Sequence, residues 1–258
     1  MPTRMSGPNP KLATLLAVTV AAAALAGPPL LTDDPDTLPK GDFELNTAYT
    51  LSVSARDSTG SRTWEHEAPL FDLNFGLTDG VQVKFEMPLL ILEDAEGSRA
   101  GIGDLSLGAK LRLCSETEWA LSLSTYPAVG VPLGSRERGL GTGSPSLTLP
   151  LQAGRHFLKD KLFLYADLGY QEQLAHGETD LWYAGIAAEY KLTAGLTLCG
   201  EVRYELAVNA DDDSLFNFGL KWSLTEYAAL IAAAGRSFAP TESSGADFRL
   251  YLGVQWSF

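Results

Sequence analysis

The chain has 258 residues, a formal charge of −13 at neutral pH, 25 glycines and two cysteines. An acidic balance of this size repels polyanions and argues against nucleic acid as a partner. Cys114 and Cys199 are too few for a disulfide scaffold, and they are expected as two isolated small side chains.

Residues 1–26 open with Arg4 and Lys11, continue through the apolar run Leu12 to Ala26, and end in the small-x-small sequence Ala24-Leu25-Ala26. This layout predicts a secretory signal peptide cleaved after Ala26, because a run of about 15 apolar residues falls short of the ~20 that a spanning helix needs. Cleavage removes Arg4 and Lys11 and leaves the mature chain two charges more negative. No later stretch is long and apolar enough for a membrane helix. Residues 27–40, Pro-rich and acidic, are expected as an irregular periplasmic lead-in. Asp33, Asp34 and Asp36 lack the fixed ligand spacing and bend glycine of a calcium loop, so neither metal nor cofactor is expected.

From Gly41 to Phe258 one theme repeats: about ten residues alternating apolar and polar, then a break. Phe43, Leu45, Tyr49, Leu51 and Val53 share one face of the first stretch. Phe71, Leu73, Phe75 and Leu77 do so in the second, and Val83, Phe85, Met87 and Leu89 in the third. Alternation at period two is the mark of a strand with one oily and one wet face. Thr78-Asp79-Gly80 between the second and third is a strong hairpin signal; pairing across it sets Phe75 beside Val83 and Asn74 beside Lys84. The pattern runs on to about twelve strands, although Ala228 to Phe238 is so uniformly apolar that its faces cannot be assigned. The last strand, Asp247 to Phe258, puts Phe248, Leu250, Leu252, Val254, Trp256 and Phe258 on one face and ends on the aromatic.

The breaks alternate between tight (78–80, 115–118, 158–160, 193–195, 225–226) and longer polar ones (57–62, 93–101, 133–143, 174–180, 207–213, 239–245). Short and long connections on opposite ends, an even strand number and aromatics near strand ends describe an all-β, antiparallel up-and-down transmembrane barrel. Its lipid face meets the outer membrane. Leu252, Val254, Trp256 and Phe258 form the expected signal for the barrel-insertion machinery, because this ending resembles the terminal strand by which bacterial outer-membrane barrels are recognised.

The opposite face then lines a lumen with nearly balanced acids and bases. Lys84, Glu86, Lys110, Arg112, Glu189, Glu201, Arg203 and Arg249 are expected near mid-strand as the lining that controls permeation. Glu201 and Arg203 are expected beside Glu189. Mixed charges in a confined space pair into networks, so a lattice that merely braces the wall is the competing expectation. Twelve strands leave a passage narrower than a sixteen-stranded pore, and the longest loop, 133–143, is too short for a large plug. Catalysis is not expected. His66 and His156 have polar-face parity at opposite strand ends and His176 is in a loop, so no triad forms by parity.

Four segments carry a resemblance: Gly27-Pro-Pro-Leu-Leu-Thr-Asp-Asp-Pro-Asp-Thr, Phe75-Gly-Leu-Thr-Asp-Gly, Gly101-Ile-Gly-Asp-Leu-Ser-Leu-Gly-Ala-Lys and the stretch Pro127 to Gly134. They resemble the outer-membrane transporter family named for the meta-pathway of phenol degradation. The resemblance implies a porin-like channel for small molecules, hydrophobic or aromatic compounds among them, with a closed structural or surface-interaction barrel as the alternative and an enzyme a distant third. It names no solute.

Overall fold

The structure, a computed structural model, describes residues 27–56, 60–175, 179–208, 212–238 and 246–258. The expected signal peptide and its cleavage site lie outside these residues. Fourteen strand segments follow in order: β1 (Phe43–Ser54), β2 (Trp64–Thr78), β3 (Val81–Asp94), β4 (Gly97–Ile102), β5 (Leu105–Cys114), β6 (Ser122–Thr125), β7 (Ala128–Val131), β8 (Ser146–Phe157), β9 (Leu162–Gln173), β10 (Leu181–Lys191), β11 (Leu196–Ala207), β12 (Asp213–Ser223), β13 (Ala228–Ser237) and β14 (Ala246–Ser257). Because β4 and β5 both pair with β3, and β6 and β7 both bridge β5 and β8, the segments make twelve staves. One break falls at Tyr126-Pro127, where proline has no N–H for the ladder. All pairings are antiparallel, and β1 closes the sheet by pairing with both β2 and β14. The result is the expected twelve-stave barrel.

The chain's final stretch makes the seam. Leu252 faces Tyr49, Val254 faces Thr47 and Trp256 faces Leu45, while Phe43 and Phe258 exchange reciprocal backbone hydrogen bonds of 2.9 and 2.8 Å. The Asp79-Gly80 turn sets Phe75 opposite Val83 and Asn74 opposite Lys84, as the alternation predicts. Around the wall the apolar positions point outward, so Ile186 and Phe218 remain 69% and 61% exposed. That band is what a hydrocarbon layer covers. In β13, Ile231, Ala233, Gly235 and Ser237 face in while Leu230, Ala234 and Arg236 face out. The tight turns share one end with Phe43 and Phe258, the periplasmic end in barrels of this kind, and the longer connections share the other; of these, the expected 93–101 break is instead a hairpin in which β3 and β4 pair up to a two-residue turn at Ala95-Glu96.

Two features depart from the expected pattern. The β2 register shifts between Glu67 and Leu70, which inverts side-chain parity upstream of the bulge. His66 therefore faces outward, where its Nδ1 lies 2.8 Å from Tyr49 Oη, and Glu65 and Glu67 turn into the lumen, where both are buried. Second, residues 27–40 do not hang below the wall. They thread into the barrel, where Leu30, Thr32 and Asp33 are almost fully buried, and leave it where Gly41 N donates to Gly76 O (2.7 Å). The 132–145 loop is short, yet it too tucks inward and packs Leu140 on Leu90 and Leu92.

Candidate functional site

The site is the lumen and the floor that residues 27–40 lay across it. The floor's backbone polar groups have left water and need partners, and the inward residues of the wall supply them. Glu201 on β11 accepts from Leu31 N (2.8 Å), Thr32 N (2.6 Å) and Asn217 Nδ2 (2.6 Å). Arg203, two residues on and therefore on the same face, donates from Nη1 to Leu31 O (3.1 Å) and to Asp167 (3.3 Å), and from Nε to Glu205 (2.7 Å). Its guanidinium lies 4.1 Å from the Tyr183 ring centre. That ring occupies space open only because position 169 is glycine: a Cβ there would strike it. Gly185 serves the floor likewise, since a Cβ would strike Thr32 Oγ1.

Further along the floor, Asp33 accepts from Lys110 Nζ (3.0 Å) and Gln152 Nε2 (2.7 Å), and Lys110 also reaches Asp34 O (2.7 Å). Arg112 donates to Thr37 O (3.2 Å), and Leu38 N to Gln82 Oε1 (2.9 Å). Four of the residues expected to line a passage, Lys110, Arg112, Glu201 and Arg203, thus hold the floor. Lys84 sits between Asp72 (3.3 Å) and Glu86 (3.4 Å). Glu189 does not meet Glu201 or Arg203. It pairs with Lys221 Nζ at 2.7 Å, reaching across β11 at Cys199, which faces Gly219 on the next strand. Arg249 makes no hydrogen bond or ion pair among the described residues.

Glu65, Glu67, Tyr183 and the floor itself escape the sequence pattern. The Pro69 next to the bulge is a visible signal for the first two, because a proline inside an alternating run marks a register fault. Cys199 is buried beneath Leu30 with Tyr165 and Ala187; Cys114 is partly exposed, and both are free. His156 stacks on Phe163 with ring centres 4.0 Å apart and contacts Glu116 (3.0 Å) in the tight-turn region. His176 lies outside the described residues.

The floor divides the lumen. Above it, among the described residues, are two lobes open to solvent, about 660 and 700 Å³ with that solvent included, that share Glu67 and Glu86. Below it lies one of about 640 Å³, bounded by Asp33, Asp36, Glu44, Lys84 and Lys110. The upper lobes are largely apolar, with Pro28 to Leu31, Leu70 and Ala233 in one and Pro88, Leu90, Ala128 and Leu140 in the other.

Residues 32–251 match the family described as MetA-pathway of phenol degradation. Among solved structures, the chain is similar to the COG4313 outer membrane channel from Pseudomonas putida F1, with a TM-score of 0.71 and 18% identity over 87% of this chain and 98% of that one. It is also similar to the NanC porin (TM-score 0.57, 8% identity, 83% and 98% covered). The translocator domain of the autotransporter NalP from Neisseria meningitidis gives a TM-score of 0.57 at 12% identity, with 95% and 99% covered. At these identities the likeness is one of fold. No curated protein matches the sequence.

Proposed function

The chain belongs to the family of the MetA-pathway of phenol degradation, and on that premise we propose that it is an outer-membrane channel for passive uptake of small molecules, hydrophobic and aromatic compounds included. The observation that carries this reading is the divided lumen. Two largely apolar lobes lie on the long-loop side, and a single polypeptide segment, held by polar contacts that water can replace, separates them from the periplasmic side. A braced wall needs no apolar chamber. In this proposal the signal peptide directs export, Leu252, Val254, Trp256 and Phe258 guide insertion by the assembly machinery, and Lys84, Glu86, Glu189 and Arg249 line the path once the floor yields.

The test compares the wild type with a variant lacking residues 28–39, by planar-bilayer conductance and by uptake of benzyl alcohol into liposomes. Passage by both, faster in the variant, is the expected result. The density of hydrogen bonds across the floor favours a second reading, a closed structural barrel. If neither protein passes current or benzyl alcohol, that reading replaces the first.

A further inference from the structure

The upper chamber holds more carboxylates than its cations balance. Glu65, Glu67, Asp72 and Glu86 border its two lobes, and among the described residues the only basic side chain lining either lobe is Arg249. Lys84, reaching from the floor side, is shared between Asp72 and Glu86, so two carboxylates remain in excess. Asp104, also in the wall, is satisfied by Gly134 N, Thr142 N and Thr142 Oγ1. Glu65 is not. It is only 5% exposed, borders the lobe formed by Pro88, Leu90, Ala128 and Leu140, and makes no hydrogen bond or ion pair among the described residues. Among the described residues Glu67 beside it accepts only from Thr50 Oγ1 (2.5 Å). In the adjoining lobe the buried Tyr251 Oη has no hydrogen-bond partner among the described residues. A buried carboxylate left without donors is costly, and here the missing donor faces a cavity.

We infer that the upper chamber binds a protonated amine carried on an apolar body, its ammonium between Glu65 and Glu67 and its hydrocarbon against Leu90, Leu140 and Pro88. An ammonium brings three donors and one positive charge, which the carboxylates lack. An anion meets the carboxylates, and a neutral alcohol supplies one donor without the charge. Arg249 lines the adjoining lobe, which shares Glu67; its charge is already counted in the balance above, which still leaves two carboxylates in excess. The inference rests on the chamber being a solute site, as proposed above.

The experiment is calorimetric titration of the full mature barrel in lipid nanodiscs at neutral pH. The probes are 4-phenylbutylammonium, 4-phenylbutanol and 4-phenylbutanoate, with empty nanodiscs as blank. Because a charge-assisted hydrogen bond is stronger than a neutral one, the ammonium should bind about tenfold more tightly than the alcohol, and the carboxylate most weakly. Glu65→Gln and Glu67→Gln should each lower ammonium affinity about tenfold and leave the alcohol unchanged, while Glu96→Gln, in the exposed β3–β4 turn, should change neither. Heat-modifiable gel mobility verifies folding of each variant. Equal binding of ammonium and alcohol, tighter binding of the carboxylate, or full ammonium affinity in both folded glutamine variants overturns the inference. Titration reads binding and not passage, so a barrel that binds the amine without conducting refutes only the channel. One that conducts without preferring the amine refutes only this inference.

Discussion

Glu201 holds the floor by two consecutive backbone amides, and Glu201→Gln weakens that hold with almost no change of volume. The carboxylate accepts three short hydrogen bonds, two of them from consecutive floor amides. The amide has one oxygen to accept with and turns an NH2 toward the remaining donors. One charge-assisted bond is lost, worth roughly 1.5–3 kcal/mol, and one buried N–H is left unpaired at roughly 1–3 kcal/mol. Lumenal water recovers part of this, leaving about 3 kcal/mol, which shifts the balance between seated and released floor on the order of a hundredfold. In single-channel records Glu201→Gln should spend far more time at the conductance level of the variant lacking residues 28–39. Refutation would be a Glu201→Gln barrel indistinguishable from wild type while the deletion variant conducts freely.

Arg203→Ala should leave Asp167 and Glu205 without their shared cation and shift the reversal potential across a salt gradient toward cation selectivity, with assembly preserved; an unshifted potential refutes a role in permeation. Deleting Phe258 removes the reciprocal bonds to Phe43 and should lower the amount of protein in the outer membrane by immunoblot of membrane fractions, whereas unchanged assembly rules out the terminal signal. In the tight turn after β5, the Glu116 carboxyl is held below its ordinary value, chiefly by accepting from His156 N. Its contribution is therefore present above the ordinary carboxylate range and lost as pH falls through the lowered value. The His156 amide shift should titrate with a midpoint below 4.5 and lose that step in Glu116→Gln.

The wall was legible because alternation is local: each side chain's face follows from its neighbours, and the Asp79-Gly80 turn fixes the parity of two strands together. Legibility failed where an inserted residue resets parity, as at the bulge that turned Glu65 and Glu67 inward. It failed in Ala228 to Phe238 because small residues on both faces carry no contrast. The floor was the larger omission. Its partners lie 39 to 172 residues away in sequence, and an irregular segment has no period to betray them. Its one sequence-level trace is an imbalance, since Lys110 and Arg112 stand on a strand that offers them no acid of its own. Charged residues expected to line an open path proved to be the anchors of what occupies it.

The floor also acts as a cross-tie. Its backbone is fastened to β2 and β3 at one end, through Gly76 O and Gln82, and to β9 and β11 at the other, through Asp167, Glu201 and Arg203. A closed ladder of twelve staves fixes the circumference of the tube but leaves its cross-section free to flatten. A strut across the bore resists that flattening and sets the roundness of the tube. Unfastening either end therefore frees the shape of the wall as well as the segment itself.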